Sequence, residues 1–267
     1  MGSVLRAAMA AAKRAAEVRS ERTPAAALER QLAERRRPRG SFRAALTLPG
    51  IRIIAECKRR SPSRGILRRA YDPAAIARGY ERAGAAAISV LTEPTFFDGA
   101  LTHLEEVRAA VGIPLLRKDF VSTEYQVLEA AAAGAEAVLL IVAGLETAEL
   151  MSLHRVAQAF GLDVLVEVHD EAELVRAMAV GAAIIGVNSR NLNTLEVDVA
   201  TFDRLLPLMP RNVVRVAESG LKDGDDLRRL REAGYHAFLV GERFMSAEAP
   251  GHALADLITQ ARSGAPS

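Results

Sequence analysis

The chain has 267 residues, half of them hydrophobic and a quarter charged, with a formal net charge of +2. This composition excludes pervasive disorder, and so small a charge demands no polyanionic partner; the basic run Arg35 to Arg37 lacks interleaved aromatics, so no nucleic acid is expected. The lone cysteine, Cys57, excludes an internal disulfide and a thiolate metal cluster and fits a reducing cytoplasm.

The first 50 residues read as two helices, roughly 3–20 and 23–36, ending in the basic turn RRRPRG. Lys13 and Arg14 interrupt the apolar run that a signal peptide would need, so this stretch is expected to be a helical cap on the main domain. Eight candidate strands come next: IRIIAECK at 51–58, AAAISVLT at 85–92, PLLRKD from 114, AEAVLLIV from 135, DVLVEVH from 163, AAIIGVN from 182, VVRVAES from 213 and AFLVGE from 237. Their nearly continuous apolarity is that of parallel strands covered on both faces. None approaches the ~20 apolar residues of a membrane span, so no membrane partner is expected.

Amphipathic segments lie between the strands, among them PAAIARGYERAG, TEYQVLEAAAAG, ETAELMSLHRVAQAFG, DEAELVRAMAVG and DGDDLRRLREAG, several opened by Asp or Thr and closed by Gly. Gly84, Gly134, Gly181 and Gly234 recur at intervals of 50, 47 and 53 positions, each running straight into a strand, a quasi-repeat of two β/α units. An open doubly wound sheet would carry a Gly-rich nucleotide fingerprint, and no strand is followed by one. The expected fold is α/β: an eightfold β/α (TIM) barrel over residues 51–262 with an N-terminal helical extension over 1–50.

Reacting groups of such barrels sit at the carboxyl ends of the strands. Here those ends carry Glu56 and Lys58, Lys118, Glu167, Asn188, and Glu218 with Ser219. Side chains alternate along a strand, so Glu56 and Lys58 share one face and Cys57 takes the other, as a small hydrophobe beneath the helices. Crowded lysines and glutamates point to acid–base work on an anionic, hydroxylated substrate. The histidines at 103, 154, 169, 236 and 252 lack a metal-binding spacing, and neither metal nor cofactor is expected.

The motifs IIAECKRRSPSRG, ISVLTEPTFFDGALTHLEEVR, LLRKDFVSTEYQVLEAAAAGAEAVLLI, VLVEVHDEAEL, IIGVNSRNLNTLEVD, VAESGL and LVGERFM, in this order, resemble the indole-3-glycerol-phosphate synthase family over about residues 45–250. The resemblance implies ring closure, decarboxylation and dehydration of 1-(2-carboxyphenylamino)-1-deoxyribulose 5-phosphate in tryptophan biosynthesis. It implies that Lys118 is the general acid on the ribulose carbonyl, that Lys58 pairs with substrate anions and assists acid chemistry, and that Glu56 and Glu167 orient the lysines and manage protons. Asn188 and Glu218 would hydrogen-bond the ribulose hydroxyls or the reacting amine, with Ser219 beside them.

Ser61, Pro62, Phe96, Phe97, Phe120, Leu140, Arg190 and Leu192 are candidates for holding the substrate, most of them as an apolar slot for its aryl ring and Arg190 as an anion partner. Gly220, Gly241 and Glu242 would take the phosphate, Glu242 through its N–H alone. The basic loop RRSPSRGILRR after the first strand is expected to be a mobile lid. The expected partner is a small phosphorylated substrate, with the chain a monomer or weak homo-oligomer and contacts to other tryptophan-pathway enzymes left open. Two alternatives stand beside this reading: a Schiff-base aldolase barrel using Lys118 as a covalent amine, and a non-catalytic binding barrel.

Overall fold

The computed structural model describes residues 4–34 and 40–263. Eight parallel strands, β1 (Arg52–Cys57), β2 (Ala87–Leu91), β3 (Leu115–Lys118), β4 (Ala137–Ile141), β5 (Asp163–Val168), β6 (Ile184–Asn188), β7 (Val214–Glu218) and β8 (Ala237–Val240), close into a barrel because β1 pairs with both β2 and β8. An extension precedes them: α1 (Val4–Arg22), α2 (Ala25–Glu34) and α3 (Phe42–Thr47). Two helices are expected there from the sequence pattern, which misses α3, a short helix opened by Ser41, whose hydroxyl accepts from Ala44 N–H. The basic turn expected after α2 falls at 35–39, outside the described residues.

One helix follows each strand on the outside: α4 (Pro73–Arg82), α5 (Leu101–Ala110), α6 (Glu124–Ala133), α7 (Thr147–Ala159), α8 (Glu171–Ala179), α9 (Ala200–Leu205), α10 (Gly224–Ala233) and α11 (Pro250–Ser263). The capping residues sit where the sequence pattern put them. Asp72, Thr123, Asp170 and Asp223 accept N–H groups of the first turns of α4, α6, α8 and α10. Gly84, Gly134, Gly181 and Gly234 take positive φ where the chain leaves a helix for the next strand.

The register fixes which residues point inward. Pairing Glu56 with Ser89, Leu91 with Lys118, Ile141 with Glu167, Glu167 with Gly186, Asn188 with Glu218, and Glu218 with Leu239 threads one inward-facing set around the barrel. Lower in the barrel the same parity selects Ile54, Leu116, Leu165, Ile184 and Val216, all buried, which fill the interior and leave the polar ends at one mouth. Outward residues such as Val90, Val138 and Val166 pack beneath the helices.

Candidate active site

A cavity of about 610 Å³ opens at the carboxyl end of the strands, a volume suited to a small-molecule ligand. Its wall includes Glu56, Lys58, Lys118, Asn188, Glu218 and Ser219 from four strands and the starts of their loops. Ser61, Pro62, Phe96, Phe97, Phe120, Arg190 and Leu192 also line it, as do Gly220, Gly241 and Glu242.

Two expected residues stand elsewhere. Leu140 is fully buried and does not line the cavity. It pairs with Val166, one position out of phase with inward-facing Glu167, so its side chain lies on the helix side of the sheet. Glu167 does point inward, but it is fully buried and sits beneath the cavity rather than in its wall. It reaches the cavity through Lys118, whose Nζ lies 3.4 Å from Glu167 Oε2 and 3.9 Å from Glu218 Oε2.

The electrostatics arise from this crowding. Burial works to lower the Lys118 ammonium, but Glu167, Glu218 and Glu56 outweigh it and hold Lys118 above the usual lysine value. Burial likewise pushes Glu167 up, yet Lys118 and His169 bring it below the ordinary carboxylate range. Glu218 goes the other way: burial and the neighbouring Glu167 charge raise it well above that range, despite Lys118. The site therefore sets a lysine and a carboxylate that favour their charged forms beside a carboxyl that holds its proton more readily, which pairs a proton donor with groups that can accept or return one. On β1, Lys58 Nζ meets Glu56 Oε1 at 2.6 Å, while Cys57 faces the helices and burial pushes its thiol up, away from nucleophilic use.

Glycines make room for these carboxylates. A Cβ on Gly186 would sit 2.1 Å from Glu218 Oε1, and one on Gly241 would sit 2.3 Å from Glu56 Oε1. Beyond β7, Ser219 and Gly220 both adopt left-handed backbone, with φ of 66° and 69°. For a serine this conformation is strained, a kind of strain that clusters at ligand sites. The Glu242 carboxylate is engaged by Arg64 at 3.3 Å and by the Ser63 hydroxyl at 3.5 Å, both from the loop after β1. That loop, expected as a lid, folds into a small hairpin of Arg60–Ser61 against Gly65–Ile66. It is tied down by Arg59 to Asp98 at 2.7 Å and by Arg68 to the Ala247 carbonyl.

Other contributors were not singled out from the sequence. Val4, Leu5 and Ala8 of α1 line the cavity, so the extension supplies part of its roof. Beneath Lys118, on the opposite face of β3, Arg117 is buried among Asp119 at 2.9 Å, Glu129 at 3.2 Å and the Thr92 hydroxyl at 3.1 Å. Glu129 in turn takes Arg19 of α1 through both oxygens, at 2.6 and 2.9 Å, which latches the roof to the strand that carries Lys118. A regular Arg–Asp alternation across Lys118 was the one available signal, since residues 117 and 119 had to share the other face.

The model of the family described as indole-3-glycerol phosphate synthase matches residues 6–257. The chain belongs to the indole-3-glycerol phosphate synthase family. Relatives of that name in this family include one from Parafrankia sp. (strain EAN1pec), 51% identical over 91% of this chain and 90% of its own length. Another, from Desulfotalea psychrophila (strain LSv54 / DSM 12343), is 47% identical over 92% of this chain and 95% of its own. Among solved structures, thiamine phosphate pyrophosphorylase from Pyrococcus furiosus superposes with a TM-score of 0.60 at 17% identity, over 80% of this chain and 96% of that one, a likeness of fold alone.

Proposed function

We propose that the cavity at the strand ends closes the indole ring, with Lys118 as the acid that drives the first step. As a member of its family the chain is a decarboxylating, ring-closing lyase of tryptophan biosynthesis. In the condensation, the aromatic carbon that bears the carboxylate bonds to the ribulose carbonyl carbon, and the carbonyl oxygen takes a proton from Lys118. The carbon–carboxylate bond then breaks, carbon dioxide leaves, and its electron pair restores the aromatic ring. In the dehydration the new hydroxyl departs as water with a proton from an acid, while a base removes the proton from the neighbouring carbon, where the second ring double bond forms.

The observation that carries this reading is the convergence of Lys118 with Glu218 and of Lys58 with Glu56 on one cavity of ligand size. Lys58 fits the pairing of substrate anions, and the Glu56–Lys58 pair fits proton exchange during dehydration. Glu167 keeps Lys118 charged and aimed from below. Asn188 and Glu218, both in the cavity wall, suit hydrogen bonds to the sugar hydroxyls or the amine. Phe96, Phe97 and Phe120, whose rings meet at 6.1–6.2 Å, with Pro62 and Leu192, offer the aryl slot, and Arg190 a partner for an anionic group.

Gly220, Gly241 and the Glu242 N–H offer backbone approach to the phosphate, while Arg64 and Ser63 hold the Glu242 carboxylate aside. The hairpin after β1 serves as a lid hinged on those ties. Residues 1–50 act as a roofing extension to the barrel domain at 51–262. No described helix is long and apolar enough to cross a membrane, and we place the chain in the cytoplasm as a monomer or weak homo-oligomer.

A Schiff-base role for Lys118 would require a lysine that loses its proton readily, whereas its three carboxylate neighbours hold it charged. The test is to mix the purified protein with 1-(2-carboxyphenylamino)-1-deoxyribulose 5-phosphate and follow indole fluorescence. Product with no borohydride-trappable adduct supports the reading; absence of product, or a trapped lysine adduct, overturns it.

A further inference from the structure

Two buried polar atoms beneath the cavity face each other. His169 follows the end of β5, two residues beyond Glu167, and its ring stands between Glu167 and the helix α8 that comes next. Its Nε2 stands 3.5 Å from Glu167 Oε1, and neither atom meets another hydrogen-bond partner among the described residues. The other ring nitrogen, Nδ1, lies 3.0 Å from Glu173 Oε2 in the first turn of α8, and the same oxygen accepts the His169 backbone N–H at 2.8 Å.

An ionised Glu173 can only accept, so Nδ1 must carry a proton. In a neutral ring Nε2 would then present a lone pair to the Glu167 carboxylate, an unfavourable meeting of two acceptors in a buried space. One proton between Nε2 and Oε1 resolves it. We infer that His169 is a positioning residue for the reaction: as an imidazolium bridging Glu173 and Glu167, it fixes the Glu167 carboxylate so that Oε2 stays beneath the Lys118 ammonium.

The charged groups facing the ring from the packed elements are Glu167 on β5, Glu173 on α8 and Lys118 on β3. Burial acts to lower the ring, Glu173 and Glu167 raise it, Lys118 opposes them, and the net direction is upward. The result is a chain of alternating charge, Glu173–His169–Glu167–Lys118, that runs from the outer helix to the cavity wall. His169 does not line the cavity, so it acts on the substrate only through Glu167 and Lys118. This inference rests on the assignment of Lys118 as the reacting acid.

The test uses the full chain with His169→Leu and His169→Gln. Leucine removes the bridge, and kcat should fall about 10- to 100-fold, the loss expected on removal of a charge-assisted hydrogen bond orienting a reacting group. KM should stay within about threefold, because no substrate contact is lost. Glutamine can donate to Glu167 without titrating; it should recover most of kcat and abolish the wild-type pH limb on which the imidazolium loses its proton. Circular dichroism and thermal melting confirm that each variant is folded.

Independently of turnover, the NMR titration of the His169 ring should move to lower pH in Glu167→Gln. A His169→Leu variant with unchanged kcat and pH profile would overturn the inference, as would a ring titration indifferent to Glu167→Gln. Full activity in Lys118→Met would instead overturn the catalytic reading, whatever the NMR result.

Discussion

Replacing Lys118 with methionine keeps the length of the side chain and deletes the ammonium that stands 3.4 Å from Glu167 and 3.9 Å from Glu218. Removing a general acid costs about 10²–10⁴-fold in rate, equivalent to about 3–5 kcal/mol of barrier. The same substitution reverses the electrostatics beneath the cavity. In the wild type the folded Glu167 carboxyl is held below its unfolded value, so its contribution to stability is present above the unfolded value and lost as pH falls through the lowered one.

Without Lys118, burial, the largest influence on Glu167, is opposed by His169 with less help, and Glu167 rises. Its contribution is then present below the unfolded value and lost as pH rises through the raised one. Leaving a buried charge without its partner costs about 3–5 kcal/mol, and uptake of a proton by Glu167 limits the loss. The stability gap between wild type and Lys118→Met should therefore widen from about pH 5 to about pH 8 in urea denaturation. Fluorescence of the indole product reads the rate. A variant with kcat within about threefold of wild type, or a gap that stays flat or narrows with rising pH, would refute the reasoning.

Three further substitutions probe separate parts of the site. Glu218→Gln replaces a carboxyl whose charged form burial and Glu167 disfavour, so at pH below the unfolded carboxylate value its stability should lie within about 1 kcal/mol of wild type. Because the folded Glu218 value is raised, the wild type should lose stability as pH rises from the unfolded carboxylate value through the raised one while the variant does not, which urea denaturation at a series of rising pH values reads. Gly241→Ala drives a methyl to within 2.3 Å of Glu56 Oε1 and must displace the carboxylate from Lys58; kcat/KM should fall at least about tenfold with the far-ultraviolet spectrum unchanged. Glu129→Ala leaves the buried Arg117 short of one carboxylate, a loss of about 3–5 kcal/mol. It also frees Arg19, so proteolysis within α1 should quicken; equal cleavage rates would show that the latch does not hold the roof.

The alternation of apolar runs with capped amphipathic segments was enough to specify a parallel α/β sheet of eight units, because each local feature speaks for itself: a strand covered on both faces, a helix start, a glycine exit; closure was favoured only by the lack of a nucleotide fingerprint. The orientation of Glu56 and Lys58 was legible for the same reason, since the polar pair at alternate positions set the phase of β1. Leu140 shows where that logic stops. Its strand, AVLLI, is apolar at every position, so either phase satisfies the local pattern, and the choice is made by pairing with Val166 on the next strand. A cap from the N-terminal extension was expected, but which of its residues meet the cavity, the recession of Glu167 behind Lys118 and the Arg19–Glu129–Arg117 latch joining residues 110 and 12 positions apart were decided by tertiary structure alone. Contacts between distant elements depend on how the closed sheet staggers its strands and how the extension folds back, and no short window of sequence encodes either.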